Sequence, residues 1–329
     1  MKKILIVGGA GYIGSHNVRL FLDRNYQVVI VDNLNTGHME AVDSRAKFYK
    51  CDIRNKEELK KIFLIEKPDG VVHFAALSLV GVSMKQPLEY FSNNVYGMQI
   101  LLEVMHETGV NKIVFSSSAA TYGDHKEMPL TEESATNPTN PYGETKLMME
   151  KMMKWCDIAY GIKYVSLRYF NAAGAYDDGS LGEDHNPETH LIPLILQVPL
   201  GKRNHISVFG NDYETRDGTC IRDYIHIMDL ADAHVRAIEY LLKGNDSQIF
   251  NLGTGEGQSV NEMIVAAEKV VGKDIKKEYA PRREGDPAML IASNKKAKEI
   301  LGWEPKYTLD QIMETAWKFH STHKNGYNK

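Results

Sequence analysis

The chain has 329 residues, 43% of them hydrophobic and 25% charged, which suits one large globular domain or two linked ones. A formal net charge of -4 and a pI near 6.3 provide no basic footprint for a phosphate backbone or an anionic membrane, so neither nucleic acid nor membrane is an expected partner. Cys51, Cys156 and Cys220 are too few and scattered for a disulfide framework or a metal-type C-x-x-C pair, and glycines cut short the apolar N-terminus, so a cytoplasmic protein without a metal centre is expected.

Along the chain, Val- and Ile-rich runs alternate with stretches of helical period. The runs predict strands at 3–9, 27–33, 46–52, 69–76, 111–118 and 162–170. Helices are predicted at about 12–24, 55–66, 87–108 and 142–160, the last stopped by Gly161 as a C′ glycine. Strand runs without polar alternation belong on the inside of a parallel sheet, covered on both faces. The fold class is therefore α/β, a Rossmann-type doubly wound parallel sheet. Four methionines on the 142–160 helix, Met148, Met149, Met152 and Met153, read as packing residues.

After residue 170 the chain becomes rich in Gly, Asp, Asn and His up to about 220, the composition of a displayed binding region. A helical stretch at 228–244 and the strand-like QIFNLGTG then return to the sheet, and 258–329 reads as short helices and polar turns. The expected division is 1–175, rejoined at about 223–255, and a smaller mixed α/β C-terminal unit within 176–329.

Gly8-x-x-Gly11-x-x-Gly14 follows the first strand and opens the first helix. A tight turn there needs glycine, and a bare backbone lets a pyrophosphate reach the helix N-terminus. Asp32, at the end of the second strand, can accept from an adenosine ribose and would repel a 2′-phosphate, so NAD is expected rather than NADP. Asp52 and Ile53 at the third strand end, and Phe74 and Ala75 in HFAA, lie where strand ends would border the same cofactor.

Tyr142 and Lys146 stand four apart and share a helix face, while Ser118 ends the fifth predicted strand at the same rim. A free tyrosine titrates near 10, so a phenolate near neutrality requires a fall of about 3 units, roughly 4 kcal/mol. One cation at about 4 Å in an effective dielectric near 20 supplies roughly that much, so Lys146, with the positive nicotinamide, is expected to lower Tyr142. Phenolate and serine would then share the proton of a substrate hydroxyl while the adjacent carbon gives up hydride.

With GGAGYIGSH, VDNLNTG, FSSSAATYGD, NPYGETKLMME, RYFNAAGA, GTCIRDYIHIMDLADAH and PRREGDPA in hand, the chain resembles the extended short-chain dehydrogenase/reductase family over its full length, and within it the UDP-hexose 4-epimerases. The resemblance implies interconversion of UDP-galactose and UDP-glucose, a step of galactose metabolism, through a bound 4-keto sugar with tightly held NAD in a homodimer. By the same resemblance Ser118, Tyr142 and Lys146 are catalytic, and Tyr12, Ile13, Asn33, Asn35, Thr36, Asn94, Ser116 and Tyr169 join the cofactor set. Arg222, Arg283 and Asn171 match diphosphate ligands, Asp286 the uridine-ribose ligand, and Val208 with Phe209 the strand beside uracil; His190 and Leu191 fall on the substrate side.

Some positions depart from the family pattern. Ser78 replaces a lysine that helps hold the cofactor, and Thr189 and His190 replace an asparagine pair. Leu290 stands where a tyrosine lines the sugar pocket, which leaves room for an N-acetyl group and makes UDP-GlcNAc and UDP-GalNAc candidate substrates. A sugar-nucleotide 4,6-dehydratase would need carboxyl groups next to the strand-end hydroxyl, where this chain has Ala119 and Ala120. A UDP-glucuronate 4-epimerase, or a non-catalytic NAD-binding regulator on the same fold, is also compatible with these motifs.

Overall fold

Strands β1 (Lys3–Val7), β2 (Gln27–Asp32), β3 (Lys47–Lys50), β4 (Gly70–His73), β5 (Lys112–Ser116) and β6 (Lys163–Tyr169) form where the apolar runs stand. The structure is a computed structural model and describes residues 1–283 and 286–327; Glu284 and Gly285 of the RREGD stretch lie outside the described residues. Successive side chains of a strand point to opposite faces, so an unbroken apolar run needs cover on both. Ile4, Ile6, Val28 and Ile30 pack on one face against Val18 and Phe21 of the Tyr12–Asp23 helix and Leu230 and Ile238 of the Ile227–Leu242 helix. Leu5, Val7, Val29 and Val31 pack on the other against Phe63, Leu101 and Met105, with Met149 and Met153 of the Pro141–Tyr160 helix.

The sheet is parallel and seven-stranded, in the order Gln248–Leu252, β6, β5, β4, β1, β2, β3. Strand order reverses beside β1, and ligands of open α/β sheets bind outside the carboxyl ends at such a point. The chain returns to this sheet late, since Gln248–Leu252 pairs with β6. A separate apolar cluster gathers Ile195, Ile206, Val208, Met263, Ala267, Ile312 and Met313 from the second half. Among the described residues no helix is long and apolar enough to cross a membrane.

Four sequence expectations are revised. β3 is a half-exposed edge strand with one neighbour, and it stops at Lys50, so Asp52 and Ile53 follow it rather than end it. β5 stops at Ser116, and Ser118 instead opens the single turn Ala119–Thr121, its Oγ accepting from the Ala120 N–H at 3.1 Å. The stretch 87–108 is not one helix: a wide π-type turn, Phe91–Tyr96, separates Pro87–Tyr90 from Gly97–Thr108. The C-terminal region contains full helices, Val260–Val271 and Leu309–Thr322, each opened by a capping box, Ser259 with Glu262 and Thr308 with Gln311. That signature is present in the sequence.

His16, His73, His226 and His234 are fully buried, and burial pushes them down to about 4, 3, 3 and 4. Because an unfolded histidine titrates near 6.5, the unfolded chain binds more protons than the native one below that pH. The contribution of these four histidines is thus fully present above about 6.5 and falls as pH drops toward 4, by up to about 1.4 kcal/mol per pH unit for each. Thermal unfolding midpoints measured from about pH 7 to about pH 5 should therefore fall steeply; a flat profile would mean that these imidazoles take up protons without unfolding.

Candidate active site

A cleft of about 510 Å³ runs along the carboxyl ends of the strands, lined by residues from both halves of the chain. Gly8 has φ +85°, and a Cβ there would lie 2.6 Å from the Ala75 nitrogen; a Cβ on Gly14 would collide with the Gly8 carbonyl. Those two glycines are required by the fold itself. Gly11 is different, since its Cβ would meet only the Gly8 oxygen at 3.6 Å. It lines the cleft at the N-cap of the first helix, with no side-chain cap, which leaves helix N–H groups for an anion.

Asp32 is held by two backbone donors, Ala10 N–H to Oδ2 at 3.0 Å and Leu34 N–H to Oδ1 at 2.8 Å. Burial raises its carboxyl, and the two amides oppose that rise. Tyr12, Ile13, Asn33, Asn35, Thr36, Ile53, Phe74, Ala75, Ser116 and Tyr169 line the same cleft, as does Ser78. The carboxylate, the bare Gly11 backbone and the helix N-terminus together suit the ribose and pyrophosphate of a dinucleotide. Asp52 does not line this cleft; it faces the adjoining groove, where Arg54 at 2.8 Å holds its carboxyl well below the usual range. Asn94 is also absent from the lining. Its amide is buried behind the wall, accepting from Leu77 N–H at 2.8 Å and donating to Leu77 O at 3.1 Å and Thr145 Oγ1 at 3.0 Å.

Asn140 starts the Pro141–Tyr160 helix by accepting from the Gly143 N–H at 2.9 Å, with Pro141 at its first position. This cap, which the Asn-Pro pair signals in the sequence, puts Tyr142 in the first turn. Tyr142, Lys146 and Ser118 all line the cleft. Lys146 Nζ donates to Ser116 O at 2.7 Å and lies 5.8 Å from the Tyr142 ring centre.

The expected depression of Tyr142 is not found in the protein alone. Burial strips solvent from the phenolate and pushes the phenol up to about 12, against a downward pull from Ser118. Burial likewise pushes Lys146 down to about 7, opposed by Glu150. The ammonium is directed at a carbonyl rather than at the phenol, so it does not by itself supply the required shift.

Glu150 extends the Tyr142–Lys146 stripe by one more turn, a spacing that the sequence alone displays. It accepts from Arg168 Nε at 2.9 Å and Ser117 Oγ at 2.6 Å, and both members of the ion pair are 4% exposed.

Asn171, His190, Leu191, Arg222, Asp286 and Leu290 form the facing wall. Arg222 Nη1 donates to Pro287 O at 2.9 Å, Nη2 lies 3.5 Å from Asp286 Oδ1, and Leu290 pairs with Arg222 between two short strands. Asp223, which lies within the IRDYIH run but is assigned no role by it, fixes this corner by accepting from Thr254 N–H and Oγ1, both at 2.7 Å, and from Ala292 N–H at 3.2 Å. Val208, Phe209 and Arg283 do not line the cleft. Val208 turns into the C-terminal core, and the Arg283 guanidinium lies 3.9 Å over the Phe209 ring.

A protein-family model described as GDP-mannose 4,6 dehydratase matches residues 5–316. The chain is 56% identical over 325 residues to a UDP-glucose 4-epimerase of Lacticaseibacillus casei, covering 98% of each. It superposes with a TM-score of 0.93 on a UDP-glucose 4-epimerase from Bifidobacterium longum in complex with NAD+ and UDP, at 39% identity over 99% of this chain and 100% of that one. A UDP-Glc/GlcNAc 4-epimerase from Campylobacter jejuni matches with a TM-score of 0.87 and 43% identity, over 98% of this chain and 100% of that one.

Proposed function

Because the chain belongs to the extended short-chain dehydrogenase/reductase family of the GDP-mannose 4,6-dehydratase type, with UDP-glucose 4-epimerases among its relatives, we propose that it interconverts UDP-galactose and UDP-glucose with bound NAD. One observation carries this: Ser118, Tyr142 and Lys146 share a single cleft with the glycine cradle and with Arg222, Asp286 and Leu290.

Gly11, Asp32 and the residues around them would hold NAD, which when bound would supply a reversible hydride acceptor for C4 of the sugar and a positive charge within the cleft. Tyr142 accepts the proton of the 4-hydroxyl, with Ser118 sharing it, and returns it on re-reduction. Lys146 holds the carbonyl of Ser116 and places its charge beside the phenol ring. Arg222 presents a fork suited to a diphosphate, and Asp286 an acceptor suited to the uridine ribose. Substrate would therefore replace the Arg222–Asp286 contact with partners for both.

Ala119 and Ala120 line the cleft beside Ser118, and methyl groups cannot perform the proton transfers of a 4,6-elimination. The decisive experiment incubates the purified protein, with no NAD added, with UDP-galactose and separates the products. UDP-glucose is expected; absence of any product, or turnover confined to a parallel UDP-glucuronate arm, would overturn the assignment.

N-acetylated UDP-hexoses are substrates as well, on the support of Leu290 at the cleft wall. Leu290→Tyr should lower turnover of UDP-GalNAc relative to UDP-galactose by about tenfold or more. Equal turnover ratios in the two proteins, or no UDP-GalNAc turnover in the parent, would contradict this.

The protein is a cytoplasmic homodimer. Support for the dimer comes from Trp155, 66% exposed, with Ile158 and Tyr160 on the same helix end, and from Tyr160 stacking on His106 of the Gly97–Thr108 helix at 4.2 Å. Three free cysteines support a reducing compartment. We assign NAD binding to residues 1–175 with the return at 223–255, and UDP-sugar binding to the rest of 176–329.

A further inference from the structure

The loop before the Leu191–Leu196 helix carries a cluster that the reaction above does not use. Glu183, His185, Glu188 and His190 each offer one donor atom, and these atoms all lie within 4.8 Å of one another. His190 Nδ1 lies 2.6 Å from Glu183 Oε1 and 3.3 Å from Glu188 Oε1. His185 Nδ1 lies 3.3 Å from Glu183 Oε1 and 3.7 Å from Glu188 Oε2. The Glu188 carboxylate is fixed from behind by the N–H groups of Thr189 and His190 at 2.8 and 2.9 Å.

The two imidazoles meet the two carboxylates as charge contacts rather than as well-formed hydrogen bonds. His185 Nδ1 is buried and makes no hydrogen bond, although two carboxylates face it. An imidazole nitrogen aimed between carboxylate oxygens, out of hydrogen-bonding geometry, is placed as a metal ligand is placed.

We propose that Glu183, His185, Glu188 and His190 bind a divalent transition-metal ion of the zinc class. Two imidazoles and two carboxylates are a borderline donor set, and the two carboxylate charges balance a dication. Calcium and magnesium, which favour all-oxygen shells, are disfavoured. Zinc–ligand bonds of about 2.0–2.2 Å in a tetrahedron place the donor atoms roughly 3.3–3.5 Å apart. Two donor contacts at 3.3 Å already match that spacing, while the 2.6 Å contact must open and the wider separations, up to 4.8 Å, must close around an ion. Glu188, held by backbone amides, has the supporting shell that metal ligands usually need.

Glu183, His185 and His190 line the cleft, and the His185 ring meets Tyr12 of the glycine loop edge-on at 6.3 Å. A bound ion would thus tie the 183–190 loop beside the cofactor cradle. The role is structural: these lining groups share the cleft with Ser118, Tyr142 and Lys146, but among the described residues none of them hydrogen-bonds to those three.

The test uses the full chain with its cofactor retained, stripped with a chelator and titrated with Zn²⁺, with Co²⁺ as a spectroscopic probe. One ion per chain is expected, with the visible bands of a tetrahedral nitrogen–oxygen cobalt site and a higher unfolding midpoint in Zn²⁺. His185→Ala and Glu188→Gln should each weaken binding by about 100-fold or more and remove the gain in midpoint. No retained ion, unchanged binding in both variants, or thiolate-to-cobalt bands from a cysteine would overturn the proposal. Should either variant fail to fold, the cobalt spectrum of the parent protein decides alone. The readouts do not depend on turnover, so this site and the epimerase assignment stand or fall separately.

Discussion

Tyr142→Phe is expected to keep both NAD and UDP-sugar bound while lowering UDP-galactose turnover by about 10³-fold, within the range that a positioned acid or base contributes. The substitution removes one oxygen and keeps the ring beside Lys146, so the carbonyl contact of the ammonium with Ser116 should survive. Single-turnover measurements with a parallel assay for retained cofactor separate loss of chemistry from loss of binding. If kcat fell by less than about threefold, the proton would have to travel by another route and the role of Tyr142 would be wrong.

The same residue makes a sharper demand. In the protein alone burial holds the phenol near 12, so a working base requires charge beyond what Lys146 delivers from its contact with Ser116 O. Ultraviolet titration of the parent protein should show this tyrosine ionising at lower pH with NAD bound than without it. Activity should then fall as pH drops through the lowered value, because the protonated phenol cannot accept the sugar proton.

Glu150→Gln is expected to destabilise the protein by about 3–5 kcal/mol, since it leaves the Arg168 guanidinium buried without its counter-charge. Both partners are 4% exposed, so solvent screening offers little relief. Replacing both partners with apolar residues, Glu150→Leu with Arg168→Met, should recover much of that loss, because the desolvation penalty disappears with the charges. Thermal unfolding of the parent and both variants checks this, and a loss below about 1 kcal/mol for Glu150→Gln would mean the pair is not buried as described. Activity should fall too: Glu150 is the group that opposes the downward shift of Lys146, so its neutralisation leaves a smaller charged fraction of Lys146 near neutral pH.

Much of this molecule is encoded at short range. The strand runs, the Gly161 stop with φ 68°, the glycine cradle and the Tyr142–Lys146 spacing are local patterns, governed by backbone sterics and helical period. Asp32 likewise holds the place that its position at the end of β2 implies. The capping boxes at Ser259 and Thr308 are equally local, but the polar turns around them mask the helical period that follows.

What a linear reading does not reach depends on partners far away in the chain. Asp52 reads as a strand end, yet it lies beyond β3, paired with Arg54, in a groove that adjoins the cleft. Asn94 is recognisably polar and central, but only tertiary packing brings Leu77 and Thr145 to its amide. Val208 faces the core and Arg283 covers Phe209 because the strand holding both 208 and 209 pairs with Lys277–Ala280, a partner no local pattern identifies. The sequence by itself determined the fold class, the glycine turn before the first helix and the Tyr142–Lys146 face, since these follow from sterics and period within a few residues. Only the tertiary structure decided which polar groups enter the cleft and that Lys146 spends its bond on Ser116, because each depends on burial and long-range neighbours; the conformation of the 183–190 loop, which gathers four side chains, is likewise visible only there.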